Sequence, residues 1–497
     1  MRAQVRGMTM ALMLPLGIWG VIRSQEPPTK PPADGPVGQV EAKVGSGATA
    51  TTPATTPAAS WTTAVEPKPI APAVKKGLDW LVEHQLKDGG WGQGDESQQM
   101  GGGGNLRDKA NVADTSIAAL ALIRSGSTPQ SGPYKDAVAR AVRYVREQVE
   151  ASDARSLAVS AVQGTRVQAK LGPNIDTFLA SLLLAEANGR MGDGGGNKSV
   201  DLALTKVLGK IKAHQKADGT WDNKTGWAPI LAQSIAGKGM NRAAQYGMAV
   251  SDNALDRFET ASTVQFATTS GIAAATPAAR PAGARSTAGP VAVARSTDGS
   301  KPVGTSTYRD LSGADIAAKS GRMAGGVGSA GVELYDRASS LSGLQDSVNT
   351  NATRATTLRK VVAEGKDKAE VAKAQATLKR FDSVAVACSD AQQAVLARLD
   401  DKGFVAGFGS NGGEEFLSYM NIGESLVLKG GPEWKKWDEA MTANLGRVQN
   451  DDGSWTGHHC ITGRNFCTST ALLVLLGDRT PVPAEAKAKA VPTAAVR

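Results

Sequence analysis

Gln85-Leu-Lys-Asp-Gly89-Gly-Trp91 returns as Gln215-Lys-Ala-Asp-Gly219-Thr-Trp221 and again as Gln449-Asn-Asp-Asp-Gly453-Ser-Trp455. Gln, Gly and Trp keep the offsets zero, four and six in all three copies, and Asp stands at offset three each time. With Gly and Trp as frequent as they are here, chance places only about 0.04 such matches after the Gln residues of the chain, so three copies mark an internal repeat. The residue types describe a helix end, a tight turn and a return. Asp-Gly makes the turn, because glycine takes positive φ without a steric cost. A Gln amide can satisfy backbone groups left over at a helix end, and Trp is a large apolar anchor.

An amphipathic helical stretch precedes each copy (74–84, 200–214, 434–448). A more apolar one comes after it (112–123, 227–236, 468–476). Two more pairs read as 134–149 with 175–187 and as 389–399 with 415–428. A sixth, needed to close a ring of pairs, is drawn from 241–259 and part of the inserted region that begins at 261.

The Gln-x-x-x-Gly-x-Trp pattern between paired helices resembles the QW motif of squalene and oxidosqualene cyclases. More loosely, it is similar to protein prenyltransferase β-subunits. The resemblance spans two blocks, 73–260 and 384–479. It implies an all-α fold, an α/α toroid: a single helical barrel of five to six inner/outer helix pairs. It also implies that Gln85, Trp91, Gln215, Trp221, Gln449 and Trp455 are scaffold that ties helices together.

The rest of the chain divides around these blocks. Arg2 and Arg6 precede an apolar run over 8–22, so residues 1–24 read as an export signal or a membrane anchor. Residues 25–72, rich in Pro, Ala and Thr, read as a disordered tether. Residues 261–383 read as an insertion, low in complexity up to about 305 and then helical but polar on most faces, as in an exposed excursion. Residues 480–497 form a tail. These features point to an exported protein, periplasmic or extracellular, or anchored by its N-terminus, which is the one segment suited to a membrane. The formal charge of +9 is modest for 497 residues, and no basic stripe interleaved with aromatics is present, which excludes nucleic acid as the expected partner.

Chemistry is expected where the inner-helix N-termini converge, since partial positive charge gathers at that mouth. Aligned inner-helix starts give Asp114-Thr115-Ser116, Asp176-Thr177-Phe178 and Cys467-Thr468-Ser469. Asp114 and Asp176 are the candidate catalytic groups, with helix capping as the alternative. Gly457-His458-His459-Cys460 and Phe466-Cys467 gather two of the four histidines and two of the three cysteines. His459, Cys460 and Cys467 are therefore the candidate metal ligands, for Zn²⁺. A Cys460–Cys467 disulfide or plain packing stays open beside it. The prenyltransferase likeness implies zinc held by Asp, Cys and His, but its Asp-x-Cys pair has no counterpart over 416–430.

Several absences weigh on function. The Asp-x-Asp-Asp acid run of squalene-type cyclases is missing, as are DDxxD for a metal-bound diphosphate, Cys-Gly-Glu-Gln, a P-loop and Gly-x-Ser-x-Gly. The expectation is thus an exported cyclase/prenyltransferase-like protein that binds or processes an isoprenoid or other apolar ligand in the barrel. The alternative is a non-catalytic envelope protein whose toroid recognises a protein partner or lipid. A glycan lyase or hydrolase would need a catalytic set that the sequence does not offer.

Overall fold

The computed structural model describes residues 61–96, 104–222, 226–270, 327–408 and 412–483, all within one compact unit that begins at Thr56. The export segment, most of the tether, residues 271–326 of the insertion and the tail beyond 483 lie outside the described residues.

The described chain is almost wholly helical. An outer helix α1 (Pro72–Glu83) leads to an inner helix α2 (Val112–Arg124). Outer α3 (Lys135–Ala151) leads through the short α4 (Arg166–Leu171) to inner α5 (Ile175–Ala187). Outer α6 (Gly194–His214) is followed by inner α7 (Pro229–Gln245), and outer α8 (Asp252–Thr269) by inner α9 (Val327–Glu364). Outer α10 (Lys368–Leu396) leads through the short α11 (Lys402–Ala406) to inner α12 (Gly413–Lys429). Outer α13 (Gly431–Val448) and inner α14 (Arg464–Leu475) complete the set.

The inner helices form a closed ring. Helix α2 packs on α5, α5 on α7, α7 on α9, α9 on α12, α12 on α14, and α14 back on α2. The two classes differ as the sequence dictates. Every residue of α2 and α5 is buried, because each is enclosed by two ring neighbours, outer helices and the axis. Helix α3 instead buries one stripe, Ala137, Val138, Ala141, Val142, Val145 and Val149, and leaves its charges in water. The two ends of the described stretch reinforce closure. Strand β1 (Trp61–Thr63) pairs antiparallel with β2 (Pro481–Pro483), Trp61 opposite Pro483, and the Lys68 amide donates to Asp478 Oδ2 at 2.7 Å. Among the described residues, no helix is long and apolar enough to cross a membrane.

The three Gln/Gly/Trp corners share one set of bonds. Gln85 Nε2 donates to Gly89 O (2.8 Å) and Ala137 O (2.9 Å), Gln215 Nε2 to Gly219 O and Ala254 O (both 3.1 Å), and Gln449 Nε2 to Gly453 O (2.8 Å) and Ala73 O (2.9 Å). Each Gln therefore fastens its own turn to the first turns of the next outer helix, and the third fastens α13 to α1, where the ring closes. The Trp indole N–H donates to the carbonyl ten residues back: Trp91 to Leu81, Trp221 to Ile211 and Trp455 to Leu445, at 2.8, 2.7 and 2.9 Å. The turn glycines sit at φ near 91°, 86° and 97°. At Gly219 a Cβ would lie 2.1 Å from Arg257 O, so glycine is required both by conformation and by close approach.

The region read as an excursion behaves differently. Residues 327–364 form an inner helix of the ring, and 368–396 an outer one. Helix α9 is polar yet buried, with Ser339, Ser340, Ser342, Ser347 and Thr350 nearly inaccessible. Its hydroxyls bond to carbonyls of their own helix, Ser340 to Asp336 O and Ser347 to Gly343 O at 2.9 and 2.8 Å. Thr350 also donates to Asn241 Oδ1 on α7 at 2.7 Å. Such residues are small and mostly satisfied within their own helix, so a polar helix can occupy an interior position at little cost. The stretch 241–259 is likewise two helices, α7 ending at Gln245 and α8 starting at Asp252.

Candidate active site at the mouth of the ring

The N-termini of α2, α5, α12 and α14 gather acidic side chains and cysteine. Asp114 stands in the first turn of α2, whose N-cap Asn111 accepts from the Asp114 amide at 2.9 Å and donates Nδ2 to Asp114 Oδ2 at 2.6 Å. Asp176 in the first turn of α5 reaches to α2, its Oδ1 accepting from the Ala113 amide at 3.1 Å, while Oδ2 accepts from Gln168 Nε2 at 2.7 Å. The two sequence candidates are thus neighbours on adjacent inner helices, and each also braces a helix start.

Two groups that sequence reasoning missed complete the cluster. Glu414 and Glu415 occupy the first turn of α12 and are fully buried. Glu414 Oε2 accepts from the Ile461 amide at 3.1 Å, and Glu415 Oε1 accepts from the Tyr335 hydroxyl at 2.8 Å. Their positions match Asp114 and Asp176 once inner-helix starts are aligned, but they are Glu rather than Asp or Cys and lie just before 416–430. Asp114 Oδ1, Glu414 Oε1 and Glu415 Oε2 are buried without a hydrogen-bond partner.

The electrostatics derive from burial. Desolvation pushes Asp114 up to about 8, against the Asn111 bond and with help from Asp176 and Glu96. Glu414 rises to about 8, through burial and then the adjacent Glu415. Glu415 rises to about 7 and Asp176 to about 6, burial again leading in both, partly offset by hydrogen bonds. Near neutral pH the mouth therefore holds carboxyls that stay protonated, as in sites that need a hydrogen-bond-donating acid.

The expected metal set does not assemble. Among the described residues no three His, Cys, Asp or Glu side chains are placed to hold a metal ion. Cys467 is buried on α14 and directs its thiol to Ile461 O at 3.4 Å. Burial drives its pKa well above the ordinary thiol value, and that of Cys460 to about 12, so both are neutral thiols in this arrangement. His459 lies 3.8 Å from Glu415 Oε1 and is tilted against the Phe408 ring. Cys460 and Cys467 are unbridged, and Cys460 takes a left-handed backbone, φ 57°, uncommon for a residue with a side chain. His84 and His214 bond through Nδ1 to the carbonyls of Trp80 and Lys210, a packing role shared by two equivalent corners.

Below the mouth the axis is crossed by polar side chains. Asn421 on α12 donates to Ser234 Oγ on α7 at 3.2 Å, about 10 Å below Glu414 at the helical rise. Deeper still, Glu424 takes Lys238 Nζ at 2.7 Å and Arg124 Nη1 at 3.1 Å. Arg124 is also bidentate to Glu186, at 2.6 and 2.8 Å, and Lys238 reaches Asp346 at 3.1 Å. Arg242 adds a bond to Pro481 O at 2.8 Å and lies 3.4 Å from Glu186. Burial alone would raise Glu424, but Lys238, Arg124 and Arg242 outweigh it and hold its pKa at about 2. Helices α2, α5, α7, α9 and α12 all contribute to this buried network.

A family model described as the squalene-hopene cyclase C-terminal domain matches residues 54–157, the part that holds α1, the first corner, α2 and α3. No curated protein and no solved structure gives a match. The family match over residues 54–157 and the closed ring of paired helices agree, and together they support a squalene cyclase-like, terpenoid cyclase superfamily resemblance.

Proposed function

We propose that this protein is an exported, non-catalytic ring that takes its ligand or partner at the mouth and does not thread an isoprenoid along its axis. The observation that carries this reading is the crossing of the axis by Asn421–Ser234 and Lys238–Glu424–Arg124. A cyclase chamber has to exchange water for an apolar chain. Here the same space holds charges whose removal from their partners is costly. The absence of an Asp-x-Asp-Asp run agrees with it. Export rests on Arg2, Arg6 and the apolar run 8–22.

Purified full-length chain, incubated with squalene, farnesyl diphosphate and geranylgeranyl diphosphate, is expected to give no product and no ligand-dependent rise in melting temperature. Product formation or saturable binding contradicts the proposal. Fractionation of cells that express the tagged chain is expected to recover it outside the cytoplasm.

A second reading is favoured by Glu414 and Asp114, which remain protonated near neutral pH. On it, the mouth donates a proton to a small substrate. Glu414→Gln removes the dissociable proton while keeping the shape, so any turnover found must be abolished in that variant for this reading to stand.

A further inference from the structure

Helices α9 and α10 and the C-terminal end of α12 enclose a cleft of about 350 Å³, whose lining includes none of the acidic residues of the mouth. That volume lies within the range of small-ligand sites. Its polar wall is a relay of three amides. Gln345 Nε2 donates to Asn349 Oδ1 at 3.0 Å, and Gln392 Nε2 donates to Gln345 Oε1 at 3.0 Å. Gln345 Oε1 also accepts from the Cys388 thiol at 3.4 Å. The relay fixes the orientation of each amide and leaves one donor and one acceptor at its ends. Among the described residues, neither Asn349 Nδ2 nor Gln392 Oε1 makes a hydrogen bond.

The other walls are apolar: Val348, Ala352, Ala355, Leu378, Phe381 and Leu428. The ionisable lining groups Arg359, Asp382 and Lys429 are exposed. None of the buried side chains that line the cleft is itself charged, which favours a neutral ligand, and the unpaired donor and acceptor match the two sides of one secondary amide.

We propose that this cleft binds a neutral ligand of the N-acetylated sugar class. The ligand carbonyl accepts from Asn349 Nδ2 and its N–H donates to Gln392 Oε1. The acetyl methyl lies against Ala352 and Ala355. Sugar hydroxyls meet Arg359 and Asp382 at the rim, groups with complementary donor and acceptor character. A site that hydrogen-bonds an amide discriminates strongly against an analogue without one, because its own groups are then buried unpaired.

Isothermal titration of the full-length chain with N-acetylglucosamine is expected to show saturable binding, with glucose at least about tenfold weaker. Gln392→Leu, at a half-buried position, is expected to weaken binding about tenfold while the urea unfolding transition persists. Ala352→Trp, which fills the cleft, is expected to abolish it while the urea unfolding transition persists. Lack of saturable binding, equal affinity for glucose, or unchanged affinity in Gln392→Leu overturns the proposal. Because the site is separate from the mouth, failure here leaves the reading of the mouth intact.

Discussion

Glu424→Ala is expected to lower the unfolding free energy by about 3–5 kcal/mol, the cost typical of breaking a buried ion pair from one side. The reason is what it leaves behind. Lys238 and Arg124, both almost fully buried, lose a shared carboxylate at 2.7 and 3.1 Å. Asp346 and Glu186 compensate in part, since Lys238 keeps a 3.1 Å contact and Arg124 its bidentate pair. The site cannot collapse around a missing charge as it can around a missing methyl, because Gly237 and Gly239 already place α7 against Phe258 and Ser181. Urea unfolding followed by circular dichroism measures the effect. Glu439→Ala is the matching control: its partner Lys435 is exposed and 3.9 Å away, and the expected change is within about 0.5 kcal/mol.

Stability is expected to peak in mildly acidic solution and to fall on both sides. The sign differs for the two groups of carboxyls. Glu424 is held at about 2, below the ordinary 4.5, so its contribution is present above the unfolded value and is lost as pH drops through the folded one. Asp114 and Glu414 are raised to about 8 from 3.8 and 4.5. Between those limits the folded chain holds protons that the unfolded chain has released, so stability is fully present below about pH 4 and declines as pH rises towards 8. Glu415 and Asp176, raised to about 7 and 6, act in the same sense over the lower part of that window. Shifts of this size amount to several kcal/mol in sum, on the order of 1.4 kcal/mol per unit. Asp114→Asn and Glu414→Gln should each flatten the alkaline limb and make the protein more stable than the parent at pH 8. Urea titrations from pH 3 to about 9 decide it. A parent whose stability rises between pH 5 and 8, unaffected by either variant, contradicts the assignment of neutral acids to the mouth.

The corners were legible because their chemistry is local. Gln85 to Trp91 is one turn of chain, and the bonds of Gln85 to Gly89 O and Trp91 to Leu81 O run within or just before it. The inner-helix starts were also legible at Asp114 and Asp176, whose side chains do sit together at the mouth. What escaped was whatever depends on distant pairing. Arg124 and Glu424 are 300 positions apart, and no period in the sequence links them. Helix α9 escaped for another reason. A run of Ser, Thr and Asn has the composition of an exposed helix, and its burial rests on hydroxyls such as Ser347 satisfied by the preceding turn, which composition does not record. The metal reading of His459, Cys460 and Cys467 rested on closeness in sequence. In the fold Cys467 faces Ile461 O from inside α14, and Cys460 lies on a turn with positive φ.

A double-mutant cycle between Lys238 and Glu424, 186 positions apart on inner helices that are not ring neighbours, tests the crossed axis most directly. Lys238→Met, Glu424→Leu and the double variant are compared by urea unfolding. The crossed ring predicts a coupling of about 1–3 kcal/mol, with the double variant far less damaged than the sum of the singles. Effects that add to within about 0.5 kcal/mol would mean that the two side chains do not meet, and that the axis is open.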